Sequence, residues 1–425
     1  MLKTDERYKE YCKLLKNELV AAFGCTEPIA LAYCAVKAKE VLGATPEKAE
    51  LRVCGNIIKN AKSVVVPGTG GLKGIEAAIA AGLAGGKSED KLEVLAHLGE
   101  DERLKIKEIL DKDIITVQPE PCGKQFYIDL SLWAGNESSR VVIADFHTNI
   151  ISVEKNGTPI SASDAENGAE ETDRAYSLLS IEGIVDFADS ADYADIYESV
   201  GRQIEFNSAI SAEGLKGQYG ANIGKVMRRS CCDSVMTKAI SAPAAGSDAR
   251  MSGCELPVII VSGSGNQGMT ACLPVIEYAK SVNATEEQLV KAVAVADLVT
   301  IHQKTGIGRL SAYCGAISAG IGAAAGIAYL LDGDSDTVAH TVVNGLAISS
   351  GIVCDGAKPS CAGKIATAVF SALLGYNMYK QGQQFYAGEG IIAKGVEKCI
   401  KNVGRLARDG MRETDREILK IMTEK

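Results

Sequence analysis

The chain has 425 residues, is 46% hydrophobic and 23% charged, and carries a formal net charge of −9. That composition builds a large core rather than a disordered chain, and the length is that of two or three domains. Nucleic-acid binding is disfavoured: there is no basic excess to release counterions, and only 5% of residues are aromatic.

The chain opens with MLKTDERYKEYCKLLKNELV, a charged, helix-forming stretch without the apolar core of a signal peptide. Thirteen cysteines, an odd number, then read as reduced thiols of a cytoplasmic protein. Most are expected as small core residues, and a few as ligands or nucleophiles.

Residues 5–41 read as two helices with a break near Gly24. In Phe23-Gly24-Cys25-Thr26-Glu27-Pro28, Thr26 is placed to cap the second helix and Pro28 fits its first turn. Cys25 has two readings. Helix N–H groups and the positive dipole end stabilise a thiolate, which makes a base or nucleophile. Alternatively, Cys25 only fills a turn. Glu27 likewise reads as a site carboxylate or as a first-turn helix stabiliser.

Residues 48–66 look extended (AELRVCGN, then KSVVVPGT), IEAAIAAGLAGG turns helical, and a charged helix covers 88–112. FYIDLSLWAG and SSRVVIADFHTNIISVEKNG read as strands joined at Gly135-Asn136 in a hairpin. Residues 43–160 therefore suggest a small α/β unit with a short sheet.

From residue 165 the pattern is mainly helical. Between 256 and 375 there are 14 charged residues, about half the density of the whole chain. Such helices are apolar on most faces and form the interior of a large helical domain. The charge-free run Leu310–Leu331 is mostly Ala, Gly and Ser. It reads as a closely packed, buried helix pair and not as a membrane span. The expected fold class is α+β. A mainly helical catalytic domain covers residues 161–425, and helices in 1–42 pack onto it.

Three cysteines stand in distinctive surroundings. Cys314 lies in GRLSAYCG, and Cys354 and Cys361 lie in GIVCDGAKPSCAG. The Asp-Gly-Ala-Lys-Pro-Ser between the last two breaks any regular helix and leaves a loop with a thiol at each end. Three converging thiolates suit an iron–sulfur cluster or zinc, with one metal position open to substrate. Buried structural cysteines are the plainer alternative, since no CxxC is present. Asp355 and Lys358 inside an apolar domain favour a site, because buried charges need partners.

Two glycine loops suit a small carboxylate. Gly68-Thr69-Gly70-Gly71 precedes a helix. Ser264-Gly265-Asn266-Gln267 follows the strand-like PVIIV. The second matches GxGxxG, but two helices follow it instead of a second parallel strand, so it is not a dinucleotide fingerprint. His147 ends a strand and is placed to face a site. Lys304 precedes the Cys314 segment.

These motifs together resemble the iron–sulfur L-cysteine desulfidases, grouped with the YhaM-type proteins, and more distantly the α part of bacterial iron–sulfur L-serine dehydratases. The matching segments are GCTEPIA (24–30), PGTGG (67–71), GSGNQGMT (263–270), GRLSAYCG (308–315) and VCDGAKPSCAGK (353–364). The resemblance implies a 4Fe–4S cluster on Cys314, Cys354 and Cys361, Cys25 as proton acceptor, and a serine-dehydratase-α-like helical domain. It implies conversion of L-cysteine to pyruvate, ammonia and sulfide without pyridoxal phosphate. Thr26, Glu27, His147, Lys304 and the two glycine loops are expected around the amino acid. The alternatives are an L-serine dehydratase with the same cluster, a non-catalytic iron–sulfur redox sensor, and a structural zinc protein. The expected partner is a small amino acid, not nucleic acid or membrane; a homodimer is compatible with this.

Overall fold

The computed structural model describes residues 1–161, 174–308 and 310–424. Residues 165–173 of the expected helical region, and Arg309 of GRLSAYCG, lie outside them. The architecture is a large helical bundle beside a small mixed sheet, as the composition predicts.

The bundle side begins with α1 (Glu6–Glu18), capped by Asp5 accepting from the Arg7 N–H. Its buried Tyr8 and Tyr11 pack edge-on against Phe187. A three-residue strand, β1 (Ala21–Phe23), follows, then α2 (Thr26–Leu42). The residue capping α2 is Cys25, not Thr26: the helix starts one residue earlier than expected, and Thr26 is its first helical residue.

The sheet unit contains β2 (Lys48–Val53), α3 (Gly55–Ala61), α4 (Ile75–Ala84), α5 (Glu100–Asp111), β3 (Ile115–Pro119), β4 (Tyr127–Ala134), β5 (Glu137–Ala144), β6 (Ile150–Lys155) and β7 (Thr158–Ser161). Strand order is β3-β2-β4-β5-β6-β7, with only the β2–β3 pair parallel. The β4–β5 hairpin turns at Gly135-Asn136. Three expectations fail locally. Val64–Val66 has strand propensity but only an isolated bridge to Lys73, so no strand forms. Residues 55–61, expected as extended, are helical. The charged segment 88–112 splits into a 3₁₀ turn (Ser88–Glu93) and α5. Helix α2 lies on this sheet, with Ser139 donating to the Ala38 carbonyl at 2.7 Å.

The remaining helices are α6 (Ile181–Ser190), α7 (Tyr193–Lys216), α8 (Ile223–Ser230), α9 (Val235–Met251), α10 (Gly265–Ser281), α11 (Glu286–Ile307), α12 (Gly315–Asp332), α13 (Ser335–Ile348), α14 (Cys361–Lys380), α15 (Val396–Arg405) and α16 (Arg412–Thr423). Strand β8 (Pro257–Ile259) pairs antiparallel with β1, tying the start of α2 to the approach of α10.

The charge-free run Leu310–Leu331 supplies one helix, α12, rather than a pair. Alpha-12 is long and apolar enough to cross a membrane, yet 72% of it is buried inside this chain. Small residues explain that. A Cβ on Gly326 would lie 2.5 Å from the Ala292 carbonyl oxygen of α11, so the two backbones touch through glycine. Gly326→Ala is expected to cost about 1–3 kcal/mol of stability by overpacking. Urea denaturation checks this; an unchanged midpoint would mean that the α11–α12 contact yields easily.

Candidate active site

Four helices begin at one cavity of about 100 Å³. Alpha-2 starts after Cys25, α10 after Ser264, α12 after Cys314, and α14 at Cys361. None of these four starts has a side-chain cap bond. Each therefore turns uncapped N–H groups and the positive end of its dipole toward the same region. Arg250, near the end of α9, and Lys304, in the last turn of α11, also line the cavity.

Cys314 and Cys354 are brought together by backbone. Tyr313 and Val353 form an antiparallel bridge. The Cys314 N–H donates to the Ile352 carbonyl at 2.9 Å, and the Cys354 N–H donates to the Ala312 carbonyl at 2.6 Å. Asp355 accepts from both Lys358 and Lys364, which pins the loop onto α14 and brings Cys361 to the same cavity. The Asp and Lys of this loop thus pair with each other. Asp355 is held at about 2: burial would raise it, but the bonds from Lys358 and Lys364 outweigh burial.

The hydrogen bond from the Cys314 thiol pulls Cys354 below the usual thiol range against burial, aided by the nearby Lys59 and Lys364. Cys314 is pushed up by the same bond and by burial, and Cys361 is pushed up by burial. Among the described residues, no three His, Cys, Asp or Glu side chains close on a point as ligands of one ion do. The three thiols instead line a common cavity beside cationic Lys59 and Lys364. That donor set fits a multi-iron cluster, in which each cysteine takes its own iron, better than a tetrahedral zinc.

In the same cavity, the Cys25 thiol donates to Glu27 Oε2 at 3.3 Å. Thr26 Oγ1 lies 3.1 Å from that same oxygen and 3.0 Å from the Gly263 carbonyl. His147 Nε2 lies 4.0 Å from Glu27 Oε1, too long for a hydrogen bond. All of these side chains are buried. Burial raises Glu27, but His147 and then Cys25 outweigh it, leaving the carboxyl at about 2. The sequence reading expects the helix start to lower the Cys25 thiol. The structure gives the opposite direction: burial and then the Glu27 charge push it well up. At rest, Cys25 is a thiol hydrogen-bonded to a carboxylate.

Of the other expected residues, Thr26, Glu27, Ser264, Asn266, Gln267 and Lys304 line the cavity. Gly265 packs against Arg250 just behind it. His147 does not line it; it reaches the cavity through Glu27 and borders a second, larger cavity on the other side. Gly68, Thr69, Gly70 and Gly71 do not line it either. Thr69 closes its own turn by bonding the Val66 carbonyl and the Leu72 N–H. Pro67 packs against Gly24, where a Cβ would come within 2.5 Å of it, so this loop buttresses the Cys25 turn from behind.

Sequence reasoning missed Asn60, Arg250 and Tyr313 as cavity residues. The signal for Arg250 was present: a cation near the end of the Ala-rich helix TKAISAPAAGSDARM. Its Nε donates to the Gly24 carbonyl at 3.0 Å and its Nη1 to Asn266 Oδ1 at 3.2 Å. Among the described residues, Arg250 Nη2, Gln267 Oε1 and the Tyr313 hydroxyl have no hydrogen-bond partner.

A family model described as the serine dehydratase alpha chain matches residues 89–420. The chain belongs to that family. It is also similar along its length to UPF0597 proteins. The one from Desulfitobacterium hafniense is 55% identical over 99% of this chain and 98% of its own. Those from Lachnoclostridium phytofermentans and Bacteroides fragilis are 46% and 37% identical, each covering at least 98% of both chains. The class that this family membership indicates is a dehydratase-like lyase, and the family is generally iron–sulfur-linked.

Glu27 has a pH consequence. Its folded value of about 2 lies below the ordinary 4.5, so its stabilisation is complete above about pH 4.5 and lost as pH falls toward 2. Between pH 5 and pH 3 the protein is expected to lose about 2 kcal/mol that Glu27→Gln does not lose. Urea denaturation in the presence of chelator measures the difference. Parallel pH slopes for the two proteins would remove the assignment.

Proposed function

We propose that this family member is an L-cysteine desulfidase, eliminating sulfide from L-cysteine to give pyruvate and ammonia. The observation that carries the reading is one cavity lined both by the thiols of Cys314, Cys354 and Cys361 and by Cys25, whose thiol is hydrogen-bonded to Glu27. Cys314, Cys354 and Cys361 would hold a 4Fe–4S cluster. When bound, such a cluster supplies a Lewis acid that improves the departing sulfide.

The chain's own residues handle the proton. Cys25 must give up its thiol proton before it takes one from the substrate α-carbon. Glu27 accepts the hydrogen bond from that thiol and faces His147 with its other oxygen. Among the described residues, His147 Nε2 has no hydrogen-bond partner. Once the 4.0 Å gap between Glu27 Oε1 and His147 Nε2 closes to hydrogen-bond length, the proton can pass along Glu27 to a neutral His147, leaving a Cys25 thiolate and an imidazolium–carboxylate pair. This accounts for a carboxylate that stays ionised although buried: it bridges the transfer and does not store the proton. The thiolate then removes the α-proton, and loss of the β-substituent gives an enamine. In water the enamine tautomerises and hydrolyses to pyruvate and ammonia. A redox sensor or a structural site has no use for this acid–base chain.

The test is an anaerobic assay of sulfide from L-cysteine against pyruvate from L-serine. Sulfide release with the higher kcat/KM is expected. Preferred turnover of L-serine would instead make the protein a serine dehydratase. Cys25→Ala is expected to keep its iron and visible absorbance while kcat falls about 10²–10⁴-fold. Cys361→Ala is expected to lose iron. A colourless, air-stable and fully active preparation would overturn the cluster assignment.

A further inference from the structure

Three residues that line the cavity each carry a buried polar atom without a partner among the described residues, and two of these atoms are opposite in character. Arg250 is 2% exposed and Gln267 is 5% exposed. Leaving a guanidinium N–H or an amide oxygen unpaired in the interior is costly, so a cavity that does so is shaped for a ligand that pairs them. Nη2 of Arg250 is a cationic donor, suited to a carboxylate. Oε1 of Gln267 is an acceptor, suited to an ammonium group.

Arg250 is held for this task. Its other two nitrogens bond the Gly24 carbonyl and Asn266, the residues directly before Cys25 and Gln267. The close passage needs a glycine: a Cβ on Gly265 would lie 2.6 Å from Arg250 Nε. The guanidinium thus fixes its free edge relative to both the proposed base and the ammonium acceptor. Gln267 is held in turn against the first residue of α12, where a Cβ on Gly315 would lie 2.5 Å from its amide carbon.

We propose that Arg250 and Gln267 are the two poles that orient the substrate, with Arg250 Nη2 taking the α-carboxylate and Gln267 Oε1 taking the α-ammonium group. This rests on reading the cavity as an amino-acid site. It replaces the Gly68–Gly71 loop, which lies outside the cavity, as the carboxylate grip. With the side chain directed at the three thiols, the α-carbon has three fixed substituents. Its hydrogen then has one direction left, so the site distinguishes the L from the D enantiomer.

L-Alanine has both poles and no leaving group, so it reads binding without turnover. Calorimetry on anaerobically purified protein compares it with propionate, which lacks the ammonium group, and ethylamine, which lacks the carboxylate. L-Alanine is expected to bind wild type at least tenfold more tightly than either probe and than D-alanine. Arg250→Met is expected to weaken L-alanine and propionate at least tenfold and leave ethylamine unchanged, with Arg250→Lys intermediate. Gln267→Met is expected to weaken L-alanine and ethylamine but not propionate. Equal loss of all three ligands in Arg250→Met would reduce Arg250 to a support for the cavity and overturn the proposal. If that variant does not fold, the wild-type series decides, and ethylamine or propionate binding as tightly as L-alanine overturns it. Arg250-dependent binding of L-alanine without sulfide release would defeat the desulfidase reading alone. Sulfide release with an unchanged KM in Arg250→Met would defeat this proposal alone.

Discussion

Everything at the site depends on four helix starts sharing one small volume. A helix start is an electropositive object: several N–H groups point along the axis without partners. Bringing four together around about 100 Å³ would be repulsive if the space held only apolar groups. It becomes favourable when the space holds anions, and this cavity is lined with thiols, which are anionic when deprotonated. The absence of a side-chain cap bond at Cys25, Ser264, Cys314 and Ser360 follows from the same constraint. A serine or aspartate turned back onto its own helix would spend the N–H groups locally. At Cys25 and Cys314 the cap residue is a weak acceptor, and at Ser264 and Ser360 the hydroxyl makes no cap bond, so these N–H groups are left to the cavity.

The convergence needs unusually close backbones, and composition provides them. The helices behind the site are rich in Ala and Gly, so their axes approach until carbonyl oxygens and α-carbons touch, as between Gly326 and Ala292. The same economy of side chains explains why so few charges occur between 256 and 375 and why those present matter. Lys304 and Lys364 sit at or near helix ends and reach toward the site. Asp297 is the exception: fully buried in mid-helix and pushed well up by burial, with Gln203 donating to it at 2.9 Å, it belongs to the core and not to the cavity.

Parts of this were legible in the sequence for definite reasons. Cys25, Cys314 and Cys361 stand where helical periodicity begins, and Cys354 stands at the edge of a helix-breaking loop. Those are local signals, and the structure brings the four to one cavity. The β4–β5 hairpin was legible because alternation and a Gly-Asn turn agree. What failed depended on distant partners. Strand β1 is three residues long and gains its identity only from β8, far along the chain. Val64–Val66 has the composition of a strand but no neighbouring edge to pair with. The Gly68–Gly71 loop looks like an anion cradle, and nothing local reveals that it faces Gly24 from behind instead of the cavity.

The Cys25 result shows why position alone does not set acidity. The dipole of α2 favours a thiolate, but the thiol is buried and Glu27 sits on the same first turn. Two near effects oppose one helix end, and the near effects win. Cys25 is thus held as a thiol bonded to Glu27, with His147 beyond the carboxylate. His147 in turn borders the second cavity, whose lining includes Lys16, Glu18, Arg202 and Gly263. Gly263 lines both cavities and also accepts from Thr26. The Glu27–His147 pair thus has one member on each cavity. In the proposed mechanism, Glu27 and His147 lead a proton from Cys25 in the first cavity toward the second.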